Sequence, residues 1–304
     1  MDNSLLAVRF INHKYIVVGK EIQMLPYIEL FDRIRIPLYA VSFLVGFAIA
    51  ITIAMIIAPK HNVVRDDVLF CSVYAGLGIV VGAKVMYFLT KLPNIILHFD
   101  TFVKLAKEMP AEAANYAFGG LVFYGGLIGA FLGVWRYCYH FHVSMTDYLD
   151  LVSPFIPFVH AFGRIGCFLA GCCYGIEYYG PFSISFPYNE MTPELNEVPR
   201  FPVQLLEALC NFGACIVLLI IMKKFKLKKG KLLGIYLLYY VIARYFLEML
   251  RGDLERGKVG SFSTSQLISL LLFPVAIGFL SGKLLPLFDK VKQKPKVKKV
   301  KKEE

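Results

Sequence analysis

The feature that most constrains this chain is a series of seven apolar runs, most of them about twenty residues long. An α-helix needs about 20 residues to cross the hydrocarbon core of a bilayer. The runs cover residues 36–58, 68–90, 117–135, 151–174, 204–222, 232–250 and 265–282. Only 18% of the chain is charged, against roughly 25% in a soluble domain. We therefore predict an all-α polytopic membrane protein with seven transmembrane helices and a small extracytoplasmic loop region.

Basic residues are concentrated in the segment KKFKLKKGK at 223–231 and in the tail from Lys290 onward. Both segments adjoin apolar runs, so we interpret them as anchors beside anionic lipid headgroups and not as a surface for nucleic acid. The connections on the side of the C-terminus hold eighteen Lys and Arg residues, and those on the other side hold twelve. The positive-inside rule then predicts a cytoplasmic C-terminus and, with seven spans, an external N-terminus.

This topology divides the chain into three predicted parts. They are an extracytoplasmic N-terminal arm, a membrane domain and a basic cytoplasmic tail, at 1–35, 36–282 and 283–304. Three connections are predicted to face outward, at 91–116, 175–203 and 251–264. The second of them is long enough to form a small cap, with a short strand expected in the sequence FSISF.

The third apolar run contains the glycine-rich segment GGLVFYGGLIG at 119–129. Small residues four apart, at 125, 129 and 133, allow two helices to approach closely, so helix packing is one interpretation. The second interpretation is that missing side chains around Tyr124 leave room for the glycerophosphate of a lipid. Gly125 and Gly126 are then candidates for substrate binding.

Ionisable residues inside the fourth and sixth runs are the main candidates for chemistry. His160 and Arg164 are four residues apart and share one helical face, as do Arg244 and Glu248. A charged side chain inside the membrane costs free energy, so its presence there indicates a function. The guanidinium of an arginine also matches the geometry of a phosphate. Each of these residues also has a structural interpretation. Arg164 could extend to the lipid headgroups, and His160 could have its hydrogen bonds satisfied in the protein interior. The charged pair of the sixth run could be an ion pair that stabilises the helix bundle.

Gln204 and Glu207, one turn apart at the start of the fifth run, are candidates for the same polar cluster. Two arginines at one membrane depth favour an anionic ligand over simple ion pairing. The odd number of cysteines, seven, does not indicate a disulfide framework. The spacing of Cys167, Cys172 and Cys173 does not match a metal motif, so we interpret them as small apolar filler and expect no metal.

Taken together, these segments resemble the prolipoprotein diacylglyceryl transferases. The resemblance covers residues from about 27 to 282. It rests on LYAVSFLVGF, GGLVFYGGLIG, GRIGCFLAGCCYG, PVQLLE and RYFLE. It implies an enzyme of the bacterial cell membrane, without a cofactor, that moves a diacylglyceryl group from phosphatidylglycerol to the lipobox cysteine of a prolipoprotein. The product is a thioether, and glycerol phosphate is released. The implied partners are phosphatidylglycerol, prolipoprotein signal peptides and membrane lipids.

The resemblance also implies roles for single residues. Positions that the family uses for substrate binding or catalysis are occupied by Tyr39, Arg164, Gly175 and Arg244, and Glu248 matches its acidic partner. We expect the two arginines to stabilise the charge of the leaving phosphate, with Glu248 orienting Arg244.

The chain also departs from the family pattern. Tyr124 stands where a histidine usually precedes the paired glycines, and Lys84 replaces an arginine. Cys167, Ala170 and Cys172 replace the asparagines and glutamate of the signature. Either Tyr124 or His160 is then the candidate for proton transfer. The alternatives left open are a transferase with another acceptor, an inactive relative, and a transporter of lipid or anions.

Overall fold

The computed structural model describes residues 8–10, 13–17, 20–24, 27–30, 34–185, 198–252, 258–259 and 262–288. These parts of the chain are mostly helical. The chain divides into two compact units, which we call unit 1 and unit 2. Unit 1 comprises Met1–Ala54 with Leu149–Leu285, and unit 2 comprises Met55–Tyr148 with Pro286–Glu304.

Eleven α-helices lie in the described residues. They are α1 (Leu38–Ile57), α2 (Arg65–Leu97), α3 (Phe99–Glu108), α4 (Pro110–Phe118), α5 (Phe123–Phe141), α6 (Met145–Val152), α7 (Phe155–Ala170), α8 (Val203–Lys224), α9 (Lys231–Glu248), α10 (Thr264–Ser281) and α11 (Leu285–Phe288). A short 3₁₀ helix, Ala58–His61, follows α1. Four stretches are long and apolar enough to cross a membrane: α1 with this 3₁₀ turn, α2, α8 and α10. The bent pair of α6 and α7 is a fifth candidate.

Each of the seven predicted runs overlaps a long helix, and the third and fourth runs also include the end of a shorter one. The helices α5 and α9 are not among the stretches that are long and apolar enough to cross a membrane. In α9 the reason is three charged residues, Lys231, Arg244 and Glu248, within eighteen. The third run was placed about six residues too early, because α4 ends before Gly119 and α5 begins only at Phe123. The fourth run is not one helix, since Pro154 lacks the N–H that a continuous helix needs.

The described residues are mostly helical, as the sequence predicts, but they also include nine short strands, so the fold is not purely α. They are β1 (Val8–Phe10), β2 (His13–Val17), β3 (Lys20–Met24), β4 (Tyr27–Leu30), β5 (Ile34–Pro37), β6 (Ile184–Ser185), β7 (Pro199–Arg200), β8 (Lys258–Val259) and β9 (Phe262–Ser263). They form antiparallel sheets in the orders β1-β4-β5, β3-β2-β6-β7 and β8-β9. In the N-terminal arm, β-branched residues alternate with charged ones, a pattern typical of strands. The strand expected in FSISF is confirmed as β6.

A second correction concerns the predicted loop at 91–116, most of which is helical. The helix α2 continues through Pro93 to Leu97, and α3 and α4 follow it directly. In α3, apolar residues repeat at helical spacing beside Lys104 and Lys107. Such an amphipathic helix suits the interface of a membrane with water.

Unit 2 is held together by close contact of α2 with α5. A Cβ atom on Gly129 of α5 would lie 1.9 Å from the carbonyl oxygen of Gly78 on α2. A Cβ on Gly82 would lie 2.2 Å from the carbonyl oxygen of Gly125. Neither position has room for a side chain, because the two backbones touch there. The helix-packing interpretation of the glycines is therefore confirmed.

In unit 1, α7 packs on α8 and α9 packs on α10. The carboxylate of Asp150 fixes the start of α9, because Oδ2 accepts from Gly230 N at 2.6 Å and Oδ1 accepts from Leu233 N at 3.2 Å. An anionic acceptor at this end also complements the helix dipole. Ser263 and Gln266 form a capping box at the start of α10. These caps fix the starts of α9 and α10, two of the helices that carry polar side chains of unit 1.

Candidate active site

The carboxylate of Glu207 is the centre of a charged cluster inside unit 1. Glu207 projects from the first turns of α8, and its side chain is only 2% exposed. Its Oε1 atom lies 3.0 Å from Arg164 Nε, 3.4 Å from His160 Nε2 and 3.9 Å from Arg244 Nη1. A buried carboxylate is costly unless paired, and here α7 and α9 both supply its partners. The prediction that Glu207 joins the arginines is confirmed.

Arg244 is a buried guanidinium with partners on three helices. Its Nη2 atom lies 2.6 Å from Glu248 Oε2, one turn further along α9, and donates to Ser265 Oγ on α10 at 2.9 Å. The predicted pairing of Arg244 with Glu248 is therefore confirmed. Within the described residues, Arg244 Nη1 has no hydrogen-bond partner. An unsatisfied donor of this kind costs about 1–3 kcal/mol, so it is well suited to an anionic ligand.

Arg164 and His160 occupy the same face of α7, as their spacing predicts. Arg164 Nε donates to His160 Nε2 at 3.2 Å and also lies against Glu207. In the described part of the chain, the contacts of Arg164 are made through Nε. Its terminal Nη1 and Nη2 atoms form a fork of N–H groups that matches two phosphate oxygens. Because Arg164 pairs with the buried carboxylate of Glu207, the structure does not agree with the interpretation that its side chain extends to the lipid headgroups.

The Nε2 atom of His160 has two polar neighbours, Arg164 and Glu207. As a neutral ring, His160 accepts from Arg164 Nε at Nε2. With a proton on Nε2, it would instead donate toward Glu207 Oε1, 3.4 Å away. A histidine placed in this way suits a general base.

A small cavity opens beside this cluster. Its volume of about 10 Å³ is room for about one water molecule. It is lined by His160, Glu207, Asn211, Tyr239, Tyr240, Ala243 and Arg244. In addition to Arg244 Nη1, the hydroxyl of Tyr239 and Oε1 of Gln204 are buried without a hydrogen-bond partner among the described residues. Buried polar atoms are normally satisfied, so this concentration marks a place for a polar ligand or water.

The segment after α7 passes directly beside the cluster. Gln204 is buried on α8, and its Nε2 donates to the carbonyl of Cys172 at 2.9 Å. Gly175 is buried where two backbone segments meet, and a Cβ there would lie 2.2 Å from the carbonyl oxygen of Phe201. Near the same end of α7, a Cβ on Gly166 would lie 2.7 Å from Cα of Tyr39, whose side chain is half exposed. Tyr39 thus contacts α7, and Gln204 contacts the segment that follows α7. Gly175 belongs to that segment.

The remaining predicted residues lie in unit 2. Tyr124 is half-buried in the first turn of α5. Gly125 packs against Met86 and the backbone of α2, and a Cβ on Gly126 would lie 3.3 Å from Ile79. Lys84 donates from Nζ to the carbonyl of Phe118, at the last residue of α4. Both glycines therefore have a packing role, and their predicted role in substrate binding stays a prediction.

Sequence reasoning missed three residues of the cluster: Ser265, Asn211 and Tyr239. Ser265 holds Arg244 from α10, and Asn211 donates from Nδ2 to the Glu207 carbonyl at 2.8 Å. The available signal was a polar residue one helical turn from a charged one, as Asn211 is from Glu207. Ser265 had no such signal, because only the packing of α9 on α10 brings it to Arg244.

The fold and this cluster define a helical membrane protein that gathers two arginines, two glutamates and a histidine in one buried place. The sequence matches the profile of the prolipoprotein diacylglyceryl transferases over residues 26–281, and the chain belongs to this family. It is 31% identical over 237 residues to phosphatidylglycerol–prolipoprotein diacylglyceryl transferase 2 of Clostridium perfringens, covering 77% of this chain and 87% of that protein. It is 32% identical over 253 residues to the corresponding transferase of Clostridium tetani, covering 82% and 94%. It is 28% identical over 272 residues to the transferase of Enterococcus faecalis, covering 85% of this chain and 92% of that protein.

Proposed function

We propose that this chain transfers a diacylglyceryl group from phosphatidylglycerol to the lipobox cysteine of a prolipoprotein. Its relatives are named for phosphatidylglycerol and prolipoprotein. The observation that carries the proposal is the availability of two guanidinium groups in one buried cluster. Among the described residues, the Nη1 atom of Arg244 is a buried donor without a hydrogen-bond partner. Arg164 lies in the same cluster with its Nε beside Glu207, and Glu248 holds Nη2 of Arg244.

In the proposed reaction, the cysteine sulfur attacks the diacylglyceryl carbon that is bonded to a phosphate oxygen. The C–S bond forms, the C–O bond breaks, and the electron pair leaves on the phosphate of glycerol phosphate. The thiol proton passes to a base of the enzyme. Negative charge increases on the departing phosphate, and fixed donors in a water-poor site stabilise such charge more than water does. Arg164 and Arg244 supply these donors.

Glu207 and Glu248 act as positioning residues in this scheme. Glu248 holds Arg244 Nη2 at 2.6 Å, which leaves Nη1 directed elsewhere. Glu207 holds Arg164 through Nε and leaves its terminal fork for the substrate. Because each carboxylate balances one guanidinium, the cluster avoids burying unpaired positive charge before the phosphate arrives.

His160 is the better supported candidate for the base. Its Nε2 atom lies within reach of both Arg164 and Glu207, so a proton gained there is stabilised by the carboxylate. It also lines the water-sized cavity, through which a thiol proton could reach it. Tyr124 is the second candidate and would act as a donor or relay, since a phenol is a weak base near neutral pH. Activity assays of His160→Ala and Tyr124→Phe decide between them, and full activity in both variants would exclude both roles.

We also propose binding roles and a topology for the chain. Tyr39, Gly175, Gln204, Gly125 and Gly126 are proposed to contact phosphatidylglycerol or the signal peptide of the prolipoprotein. Seven spans are proposed, formed by α1, α2, α5, α7, α8, α9 and α10. The arm at 1–35 would then lie outside the cell membrane of a bacterium, the membrane domain at 36–282 within it, and the tail at 283–304 in the cytoplasm.

Complementation of a bacterial strain depleted of its own lipoprotein-lipidating enzyme tests the proposal. We expect the wild-type chain to restore growth and lipoprotein processing, and Arg164→Ala and Arg244→Ala to fail at equal expression. Arg136→Ala is the control, because Arg136 is an exposed arginine of α5 in unit 2. Failure of the wild type, or full rescue by both site variants, would contradict the proposal.

A further inference from the structure

Three cysteine thiols meet at the end of α7, beside the charged cluster. The helix ends at Ala170, and Gly171 takes a left-handed conformation with φ of 70°. The amide of Cys172 then donates to the carbonyl of Cys167 at 3.1 Å, which turns the chain back over the last helical turn. As a result Cys172 and Cys173, distant from Cys167 along an ideal helix face, come to lie next to it.

The three sulfur atoms all lie within 4.8 Å of one another. Cys167 and Cys173 are half-buried and Cys172 is exposed. All seven cysteines lie in described parts of the chain, and none of them forms a disulfide bond there. The exposure of Cys172 does not agree with the interpretation of these residues as apolar filler. The turn instead gathers three soft ligand atoms at a place that solvent can reach.

The spacing of these sulfur atoms fits a metal ion. With Zn–S bonds of about 2.3 Å, sulfur atoms around one ion are separated by about 3.8–4.0 Å, so the three thiols need to move by less than 1 Å or so. Thiolates select soft ions such as Cu⁺ and Zn²⁺ over hard ones. Three protein ligands satisfy a trigonal ion, and they leave one position of a tetrahedral ion open to water.

We propose that Cys167, Cys172 and Cys173 form a binding site for a thiophilic d¹⁰ cation, of the class of Zn²⁺, Cd²⁺ and Cu⁺. Binding releases the thiol protons to solvent, because the thiolate is the ligand. The donation from Gln204 Nε2 to the Cys172 carbonyl holds the turn in place, so little ordering is needed when the ion binds.

The surrounding charge agrees with this site. Arg164 and Arg251 both lie close enough to Cys173 to act on it electrostatically. Three thiolates around a divalent ion keep one net negative charge, so the loaded site attracts the guanidinium of Arg164 and does not repel it. Arg164 lies one turn before Cys167 on α7, so the negatively charged metal–thiolate site would compete with the phosphate for its guanidinium.

The direct test is titration of the reduced, full-length protein in lipid nanodiscs with Cd²⁺ alone. We expect thiolate-to-metal charge-transfer absorption that saturates at one ion per chain. Cys172→Ser should weaken binding at least tenfold or so, because it removes one ligand of three. Its side chain is exposed, so the variant should fold normally. Cys210→Ser, which removes a thiol from α8, should bind Cd²⁺ as the wild type does.

Alkylation of the exposed Cys172 by a maleimide provides a second readout that does not depend on absorption. Zn²⁺ should slow this alkylation in the wild type, and the protection should be lost in Cys167→Ser. Absence of the charge-transfer band in the wild type, or equal Cd²⁺ affinity in Cys172→Ser, would overturn the proposal. Binding that survives Cys172→Ser but not Cys138→Ser would also overturn it, because the ion would then occupy the buried pair of Cys71 and Cys138, whose sulfurs lie 4.0 Å apart.

Discussion

Units 1 and 2 differ in the side chains that join their central helices. In unit 2, α2 and α5 touch through glycine, and the contact between Gly78 and Gly129 is one of backbone on backbone. In unit 1, the helices α7, α8, α9 and α10 are joined by charged side chains around Glu207 and Arg244. Glycine contacts need only van der Waals packing, whereas buried charges are retained at a cost in desolvation. The charges of unit 1 therefore need a functional reason, whereas packing is sufficient to explain the glycines of unit 2.

The largest effect is expected when the centre of the charged cluster is removed. Glu207→Ala leaves Arg164 and Arg244 without their common carboxylate, and we expect it to lower the free energy of unfolding by about 3–5 kcal/mol. Thermal unfolding in detergent measures this loss. The matched control is Glu112→Ala, which removes an exposed glutamate from α4 of unit 2 and should change stability by less than about 0.5 kcal/mol. Equal effects of both variants would refute the contrast between the units.

Loss of one guanidinium should affect turnover more than stability. Arg164→Lys keeps a positive charge but loses the fork, and we expect the rate of lipid transfer to fall about 100- to 1000-fold. The rate with saturating phosphatidylglycerol, measured beside the unfolding temperature, checks this prediction. Arg136→Lys on α5 serves as the control and should retain the wild-type rate. A wild-type rate in Arg164→Lys would mean that a simple charge is sufficient.

Two glycines of α2 in unit 2, Gly78 and Gly76, test whether close helix contact requires glycine. A Cβ on Gly78 would lie 2.0 Å from the carbonyl oxygen of Gly129, while a Cβ on Gly76 meets nothing within 4 Å. We expect Gly78→Ala to destabilise the protein by about 1–3 kcal/mol through overpacking. Gly76→Ala should be neutral or stabilising by up to about 1 kcal/mol, since alanine favours the helix. Thermal unfolding of both variants makes this test, and an equal response would exclude close helix contact at Gly78.

The smallest effect is expected at the serine that holds Arg244. Ser265→Ala removes the 2.9 Å hydrogen bond to Nη2 but leaves the ion pair with Glu248. A hydrogen bond of this kind contributes about 0.5–1.5 kcal/mol, so we expect the transfer rate to fall about three- to tenfold. Ser269→Ala is the control, because that hydroxyl donates only to the Ser265 carbonyl within α10. A larger loss in Ser269→Ala than in Ser265→Ala would contradict this role for Ser265.

The sequence predicted the helices well where one physical signal was dominant. Uninterrupted apolar runs located α1, α8 and α10 to within a few residues. The break between α4 and α5 was missed, because Gly119 and Gly120 are as apolar as a continuous span, although their conformation ends the helix. The strands of the N-terminal arm were missed since they are only three to five residues long. One of them, β2, also pairs with the distant β6, which no local pattern indicates.

For the candidate site, spacing along one helix predicted the pairs His160–Arg164 and Arg244–Glu248. Periodicity says which residues share a face of one helix but not which helix that face meets. For this reason Glu207 was expected in the cluster but not at its centre, and Ser265 was not expected at all. The thiols of Cys172 and Cys173 approach Cys167 only through the left-handed turn at Gly171, so their sequence spacing did not indicate a cluster.

In the proposed mechanism, the Arg164 and Arg244 guanidiniums act on the phosphate of phosphatidylglycerol. The most direct measurement is mass spectrometry of a lipobox peptide incubated with the purified protein and vesicles containing phosphatidylglycerol. We predict a peptide heavier by one diacylglyceryl group on its cysteine, equimolar release of glycerol phosphate, and neither product with folded Arg164→Ala or Arg244→Ala. A folded wild-type protein that makes no thioether, or variants that make it at the wild-type rate, would contradict the account.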